Sequence, residues 1–474
     1  MPRFRLLMML VPVLTGLSGC MTLGPDYERP GEVIPTGSWQ AALPHGGSQD
    51  NLIDWWGQLQ DDTLKTLLSH TLKQHPGLEG ALAAIEVARS NLVIQKAAGQ
   101  VRAEVDVTAM RSGDKRNPKV VPMTARTVVA DAVWEIDLFG RVKRATEGAE
   151  AKVAAREADW QGMRVALAAE VATLYFEWRG CERLRASLSR DVASRESSMA
   201  ITEKAIRAGL SAPNDGDLAA ASLADARSAL TQQQASCDVA VKGLVALTGK
   251  DEASLRQLLQ KSSGPWPRIT PFTLITVPAQ LLSQRPDLAG AEQELVAANA
   301  EVGVAEATRY PRLSLLGSVG VGVGFMGSPT QDTQPWSFGP ALTLTGLDGG
   351  ALEANVQAAK GRWKGALASY RKAVQAAVRE VESTLVNLGG IQNRVLDGRK
   401  AYERYAAYLV SSETNWKKGG ISLLTLEEAR RRAMAAERGV VQLETQEVQQ
   451  WITLYKVLGG GWQQTGNQPE KVSP

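Results

Sequence analysis

Residue types that usually carry chemistry are scarce in this chain, which has only three histidines and three cysteines among 474 residues. His45, His70 and His75 stand at no ligand spacing, so a zinc or haem site would lack donors. Gly243 and Gly249-Lys250 miss the phosphate-loop pattern, with five residues between the glycines instead of four and Asp251 where Ser or Thr belongs. Gly320-Val321-Gly322-Val323-Gly324 looks like a fragment of a dinucleotide loop, but it continues an alternating run and is better explained by small residues in a sheet. No nucleophile elbow is present. Neither catalysis nor a bound cofactor is expected. Cys20 does offer chemistry, as a site for covalent lipid. Arg3 and Arg5 precede an apolar stretch from Leu6 to Leu14, and Leu17-Ser18-Gly19-Cys20 closes it with small residues before a cysteine. That is the layout of a secretory signal, and its end resembles a bacterial lipobox, whose cysteine is lipidated and becomes the first mature residue. Met21 follows Cys20, which fits sorting to the outer membrane.

The rest of the chain has to position whatever these few residues do. Lys and Arg number 53 against 50 Asp and Glu, too even a balance for a general nucleic-acid binder. With 44% hydrophobic residues the composition is globular, and beyond the signal no run reaches the roughly 18 apolar residues of a membrane helix.

The chain reads as one unit written twice. A shift of 210 residues places Pro76 on Pro286, Leu78 on Leu288, Gly140 on Gly350, Gly209 on Gly419 and Gly249 on Gly459. The expected layout is a signal peptide over 1–19, an N-terminal extension over 20–59, a first repeat over 60–250, a linker over 251–269, a second repeat over 270–460 and a tail over 461–474. Each repeat opens with an Ala-rich helix, from Leu78 to about Ala98 and from Leu288 to about Ala307. Two alternating stretches and a very long helical tract follow. No proline falls between Pro122 and Pro213 or between Pro340 and Pro469, so unusually long helices are permitted. Leu167, Val171, Leu174, Trp178, Cys181, Leu188 and Val192 form a coiled-coil seam broken by Arg185, and a helix from Val142 to Ala208 would span about 100 Å. Gly209 with Pro213, and Gly419-Gly420, supply reversals. Each repeat therefore holds a long antiparallel helical hairpin.

Strands are expected at about 101–110, 127–137, 312–325 and 337–345. Val101, Ala103, Val105, Val107 and Ala109 share one face while Arg102, Glu104, Asp106 and Thr108 share the other. A sheet with one apolar and one polar face suits a boundary between lipid and water, and Trp134, Phe139, Phe325 and Trp336 are placed near strand ends as interfacial aromatics. The same pattern would also fit a soluble sheet packed on helices. If these are membrane strands, four per chain cannot close a barrel, for which about eight is the minimum, and open edges cannot survive in hydrocarbon. Several chains would then have to share one barrel.

Gly24-Pro25-Asp26-Tyr27-Glu28-Arg29-Pro30 after the lipobox resembles the mature start of outer-membrane factor lipoproteins, the TolC-like, NodT and OprM type channels. Trp55-Trp56, Trp134-Glu135-Ile136-Asp137-Leu138-Phe139-Gly140-Arg141, Pro278 to Leu282, Arg285-Pro286-Asp287-Leu288, Tyr310-Pro311-Arg312 and Leu458 to Trp462 continue the family's order over almost the whole mature chain. The resemblance implies an α+β membrane protein: a homotrimer whose twelve strands form one barrel, continuous with a periplasmic α-helical tunnel of long hairpins. It implies an outer-membrane, lipid-anchored exit duct of a tripartite efflux pump, with a periplasmic adaptor and an inner-membrane pump of RND type as partners and no nucleic acid. The alternative is the duct of a protein-secreting type I exporter. Where the family has Pro-Leu-Phe before Asp-Gly-Gly, this chain reads Thr345-Gly346-Leu347, which leaves the exit from the fourth strand open.

The resemblance also implies two sites. Glu428 stands where the family carries an aspartate at the periplasmic mouth, so Glu427, Glu428 and Arg431 are expected at the gate, although Glu and Arg here would equally form a solvated helix face. Arg207, Gly209, Leu210 and Ser211 at one reversal, and Gly419, Gly420, Ile421 and Ser422 at the other, are expected to meet the adaptor, each with an exposed aliphatic knob. The same residues would also simply end a helix. Cys181 and Cys237 lie symmetrically about Gly209. Buried free thiols are expected there rather than a disulfide, because helix axes pack about 8–10 Å apart.

Overall fold

A computed structural model describes residues 21–31, 39–43, 55–113, 123–262, 266–267, 284–323, 332–460 and 462. The signal peptide, Cys20, His45, Pro278 to Leu282, Phe325 and Gly461 lie outside the described residues. Helices α1 (Trp55–Gln58), α2 (Asp62–Gln74) and α3 (Pro76–Ala97) precede strands β1 (Arg102–Ser112) and β2 (Met123–Ile136). Then come α4 (Arg141–Arg207), α5 (Pro213–Thr248), α6 (Glu252–Gln260) and α7 (Pro286–Ala307). Strands β3 (Arg312–Val323), β4 (Asp332–Thr333) and β5 (Trp336–Thr343) follow, and α8 (Ala351–Lys417) and α9 (Leu423–Val457) close the chain. Among the described residues no helix is long and apolar enough to cross a membrane.

The chain divides into two compact units. The first takes residues from Met1–Glu32, Leu82–Ala158 and Ala289–Ala373. Its sheet is antiparallel throughout, with β1 on β2, β2 on β3, and both β4 and β5 on β3. β4 and β5 pair with successive parts of β3 and amount to one strand interrupted at Gln334-Pro335, since proline has no N–H for the ladder. Even there the Pro335 carbonyl accepts from Gly320 N at 2.8 Å. Four long strands therefore remain. The fourth ends at Thr343, and Asp348 opens the following helix by accepting from Gly350 N at 2.9 Å and Leu352 N at 2.6 Å.

At the other strand-to-helix junction, Arg141 clamps Glu135 through two hydrogen bonds of 3.0 Å, and Asp137 accepts from Lys143 N at 2.8 Å. An aspartate in this position satisfies one of the free N–H groups that open a helix. Gly140 has φ +75°, and a Cβ there would meet Thr22 at 2.8 Å. The short motif from Trp134 to Arg141 thus encodes a turn, a cap and a close approach.

The second unit takes residues from Val33–Ala81, Asp159–Leu288 and Val374–Pro474. Its core gathers Trp55, Leu64, Leu67, Tyr175, Phe176, Leu244, Leu255, Leu259 and Trp451, all essentially without solvent exposure. Trp55 stacks on Tyr455 at 5.3 Å, and Trp56 meets the same ring edge-on. Asp61 caps α2 through Leu64 N and also takes Tyr175 Oη at 2.7 Å and Arg179 at 2.9 Å. Arg285, buried at the head of α7, holds Asp287 at 2.7 Å, Glu380 at 2.9 Å and the Val457 carbonyl at 2.9 Å. Arg285-Pro286-Asp287 is therefore a structural lock.

Cys181 and Cys237 form a disulfide with Cα atoms 5.5 Å apart, which corrects the expectation of free thiols. The 8–10 Å that argued against a bond separates helix axes, whereas Cα atoms lie about 2.3 Å off each axis. Two Cα atoms that face each other across α4 and α5 are consequently closer than the axes by about twice that radius.

Candidate functional site: a two-faced sheet and two hairpin ends

The register fixes which side chains share a sheet face, because directly opposed residues point the same way. One face carries Val105, Ala130, Val319 and Trp336 in one row, and Val107, Val128 and Val321 in the next. Phe338 lies opposite Gly317, whose missing side chain leaves room for the ring. Trp336, Phe338, Leu342 and Val107 are all more than 65% exposed, an apolar patch of the kind that lipid or another chain covers. The opposite face bears Arg102, Glu104, Asp106 and Thr108 on β1, where Val133 and Val129 oppose Arg102 and Asp106, and it continues through the rows Glu104–Asp131–Ser318–Ser337 and Glu135–Ser314.

Arg126 falls on the apolar face, opposite Ala109 and Val323 near the far end of the strands. A long cationic side chain there can reach an interface while its stem covers apolar surface. Trp134 lies toward the helix end, where its indole N–H donates to the Gly99 carbonyl at 3.1 Å, and Phe139 packs on Tyr310 at 4.8 Å. Trp336 was expected near a strand end. It begins β5, but the register sets it against Val319, well inside β3. Both β1 and β5 leave one ladder side without a strand partner among the described residues.

Both hairpin reversals use one device. Gly209 (φ +70°) donates to the Ile206 carbonyl while Leu210 N reaches the Ala205 carbonyl at 2.8 Å; Gly419 (φ +75°) and Gly420 repeat this on Trp416 and Asn415. This is the Schellman closure, in which a left-handed residue lets two N–H groups satisfy the last helical carbonyls. Neither glycine has a heavy atom within 4 Å of a built Cβ, so only φ demands glycine. Leu210 is 82% exposed. Ile421 is only partly exposed, and Leu424 (68% exposed) offers the apolar knob of the second hairpin. Arg207 is in the last turn of α4, Ser211 donates to Asp215 at 2.6 Å, and Ser422 caps α9 through Thr425 N at 3.2 Å.

The first turns of α9 hold the carboxylates singled out above. Glu428 pairs within its own helix, with Arg431 and with Arg432 at 2.7 Å. Glu427 reaches across instead: it accepts from Ser198 Oγ on α4 and from Arg430 at 2.8 Å. It begins a line of polar links between α4 and α9, continued by Asp191 with Arg438 at 3.5 Å, Ser187 with Glu437 at 2.8 Å and Arg183 with Glu444 at 2.8 Å. Ser187, Asp191, Ser198 and Thr202 are all buried. Their spacing of four, seven and four marks a polar stripe on α4, a signal present in the sequence but eclipsed by the apolar seam beside it. Among the described residues no group of three or more His, Cys, Asp or Glu could hold a metal ion.

A model of the family described as outer membrane efflux protein matches residues 67–250 and 277–460. The chain is 30% identical over 454 residues to outer membrane protein OprJ of Pseudomonas aeruginosa, covering 94% of each chain. It is 28% identical to nodulation protein T of Rhizobium leguminosarum bv. trifolii, covering 93% of this chain and 94% of that one. The solved outer-membrane channel OprN superposes with a TM-score of 0.79 at 29% identity, over 93% of this chain and 99% of that one. The Campylobacter jejuni CmeC channel, 20% identical, shares the fold with a TM-score of 0.80 over 94% and 96% of the two chains. With two repeats matched and a sheet split into apolar and polar faces, the chain belongs to the outer membrane efflux protein family: it is an outer-membrane channel protein of the efflux kind and no enzyme.

Proposed function

We propose that three copies of this chain form the exit duct of a tripartite pump that expels drugs or other small molecules. The observation that carries this reading is the open, two-faced sheet. Its apolar face needs lipid, its polar face needs water, and its two free edges need strands. Pairing β5 of one copy with β1 of the next satisfies both edges, and three copies of four strands give a twelve-stranded barrel. Exposed Leu82, Val87, Val93 and Ile94 on α3 and Tyr402, Tyr405 and Tyr408 on α8 are further surfaces that a neighbouring copy would cover. Cys20 carries the lipid that anchors the chain. Several named relatives are efflux-pump components, among them a solvent efflux pump protein of Pseudomonas putida, which favours this reading over protein secretion. An RND-type pump and its periplasmic adaptor are the expected partners.

The hairpin ends are read as the adaptor contact and the gate. Arg207, Gly209, Leu210, Ser211, Gly419, Gly420, Ile421 and Ser422 present the contact, with Leu424 added. Glu427, Glu428 and Arg431 form the gate, with Glu427 holding the second hairpin to Ser198 of the first. Co-expression with adaptor and pump in a strain lacking its own duct tests the function: restored drug efflux supports it, and accumulation equal to the empty strain contradicts it. Planar-bilayer recordings test the gate. Glu427→Gln is expected to raise open probability and Glu428→Ala to weaken cation preference, whereas unchanged currents in both variants remove these residues from the gate.

A further inference from the structure

The residues just after Cys20 are bound into the first unit far more firmly than an anchor tether requires. Arg144 of α4, with a side chain only 4% exposed, donates to the Leu23 carbonyl at 3.1 Å, the Gly24 carbonyl at 3.3 Å, Asp26 at 2.7 Å and Glu147 at 2.8 Å. Leu23 N donates to the Phe139 carbonyl at 3.2 Å, and Lys143 reaches Thr22 Oγ1 at the same distance. Gly24 (φ +86°) lies so close to α7 that a Cβ would overlap Gly303. Asn299 donates to the Pro25 carbonyl at 2.9 Å, and Glu292 receives both Tyr27 Oη at 3.2 Å and Arg29 at 2.8 Å. A buried cation spent on two carbonyls of an eight-residue strap is costly unless the strap's position matters.

Thr22 and Leu23 dock at Phe139 and Gly140, where β2 ends and the Phe139–Tyr310 aromatic pair sits. We propose that Thr22–Arg29 is a clasp, closed by Arg144 and Glu292, that fixes the lipid-bearing end of the chain at the rim of the sheet. The anchor then enters the bilayer leaflet beside its own strands, and its partner is a lipid surface at the depth of that aromatic pair. Arg144 and Glu292 are positioning residues in this account: they act on the anchor through the strap. The proposal rests on the reading of Cys20 as the lipid site and of the sheet as membrane-spanning.

The test uses the full mature chain in two forms. In the first, exported behind a signal without a lipobox and with Cys20→Ser, a nitroxide is attached at Met21→Cys and its mobility and immersion depth are read in nanodiscs. An immobilised label at interfacial depth is expected, becoming mobile in Arg144→Met and in the strap-side double variant Tyr27→Ala/Arg29→Ala, which leaves every side chain of the body in place. In the second, the lipidated chain is digested with chymotrypsin, and cleavage after Tyr27 is expected to be at least tenfold faster in Arg144→Met, while trimer size and conductance stay unchanged. A label already mobile in the parent, or equal mobility in parent and both variants with cleavage after Tyr27 no faster in Arg144→Met, overturns the clasp. Absence of lipid by mass, or of a trimer, would instead strike at the channel reading, so the two failures are distinguishable.

Discussion

Glu447 is half-buried on α9, and its carboxyl is held above the usual range first by burial and then by the negative charge of Glu444, although Arg399 opposes the shift. A folded pKa above the unfolded one means that the native state binds this proton more tightly, so the stability it contributes is complete below the unfolded value of 4.5 and is lost as pH rises through the folded value. Glu447→Gln should therefore raise the thermal midpoint of detergent-solubilised protein at about pH 8, with the gap closing below about pH 4. A gap independent of pH would contradict the burial argument. At the reversals, Gly209→Ala and Gly419→Ala should each cost about 1 kcal/mol, since space is free and only the positive φ is strained. Denaturation midpoints measure this, and adaptor co-purification from the folded variants measures the contact. Glycines at the tips were legible because their spacing repeated. The partners of Glu427 and Asp191 were not, because the polar stripe on α4 marks where contacts fall but not which residues of α9 meet them.

At the scale of elements, the α4–α5 hairpin is braced by a disulfide between residues 56 apart in sequence. The shift between repeats places Ile391 and Glu447 at the corresponding positions of the α8–α9 hairpin, which therefore lacks the brace. By loop-closure entropy the bond contributes up to about 4 kcal/mol. Cys181→Ala/Cys237→Ala should lower stability by some part of that, and alkylation should label both cysteines only after reduction. Labelling without reduction would remove the bond. Long helices were readable from proline-free tracts and seam spacing, and α4 begins and ends within one residue of the expected span. The interruption between β4 and β5 was less readable, because alternation continues through Trp336 and hides the missing N–H of Pro335. The exit from the fourth strand resolved through Asp348, which caps α8 without the proline that the family resemblance led one to expect before it.

For the whole molecule, the edges of the sheet decide the assembly. A sheet whose apolar face is this exposed, and whose outer strands β1 and β5 have unused ladder groups among the described residues, is not stable alone in water or in lipid. Alternation in the sequence predicted the two faces, and the register assigns each residue to its side. What one chain could not reveal is the number of copies, because closure is a property of strands contributed by neighbours. The most direct measurement is the size and solubility of mature protein carrying Cys20→Ser, which leaves only the strands to hold it in a membrane. A detergent-requiring trimer is the predicted result. A water-soluble monomer would contradict the shared barrel and, with it, the duct.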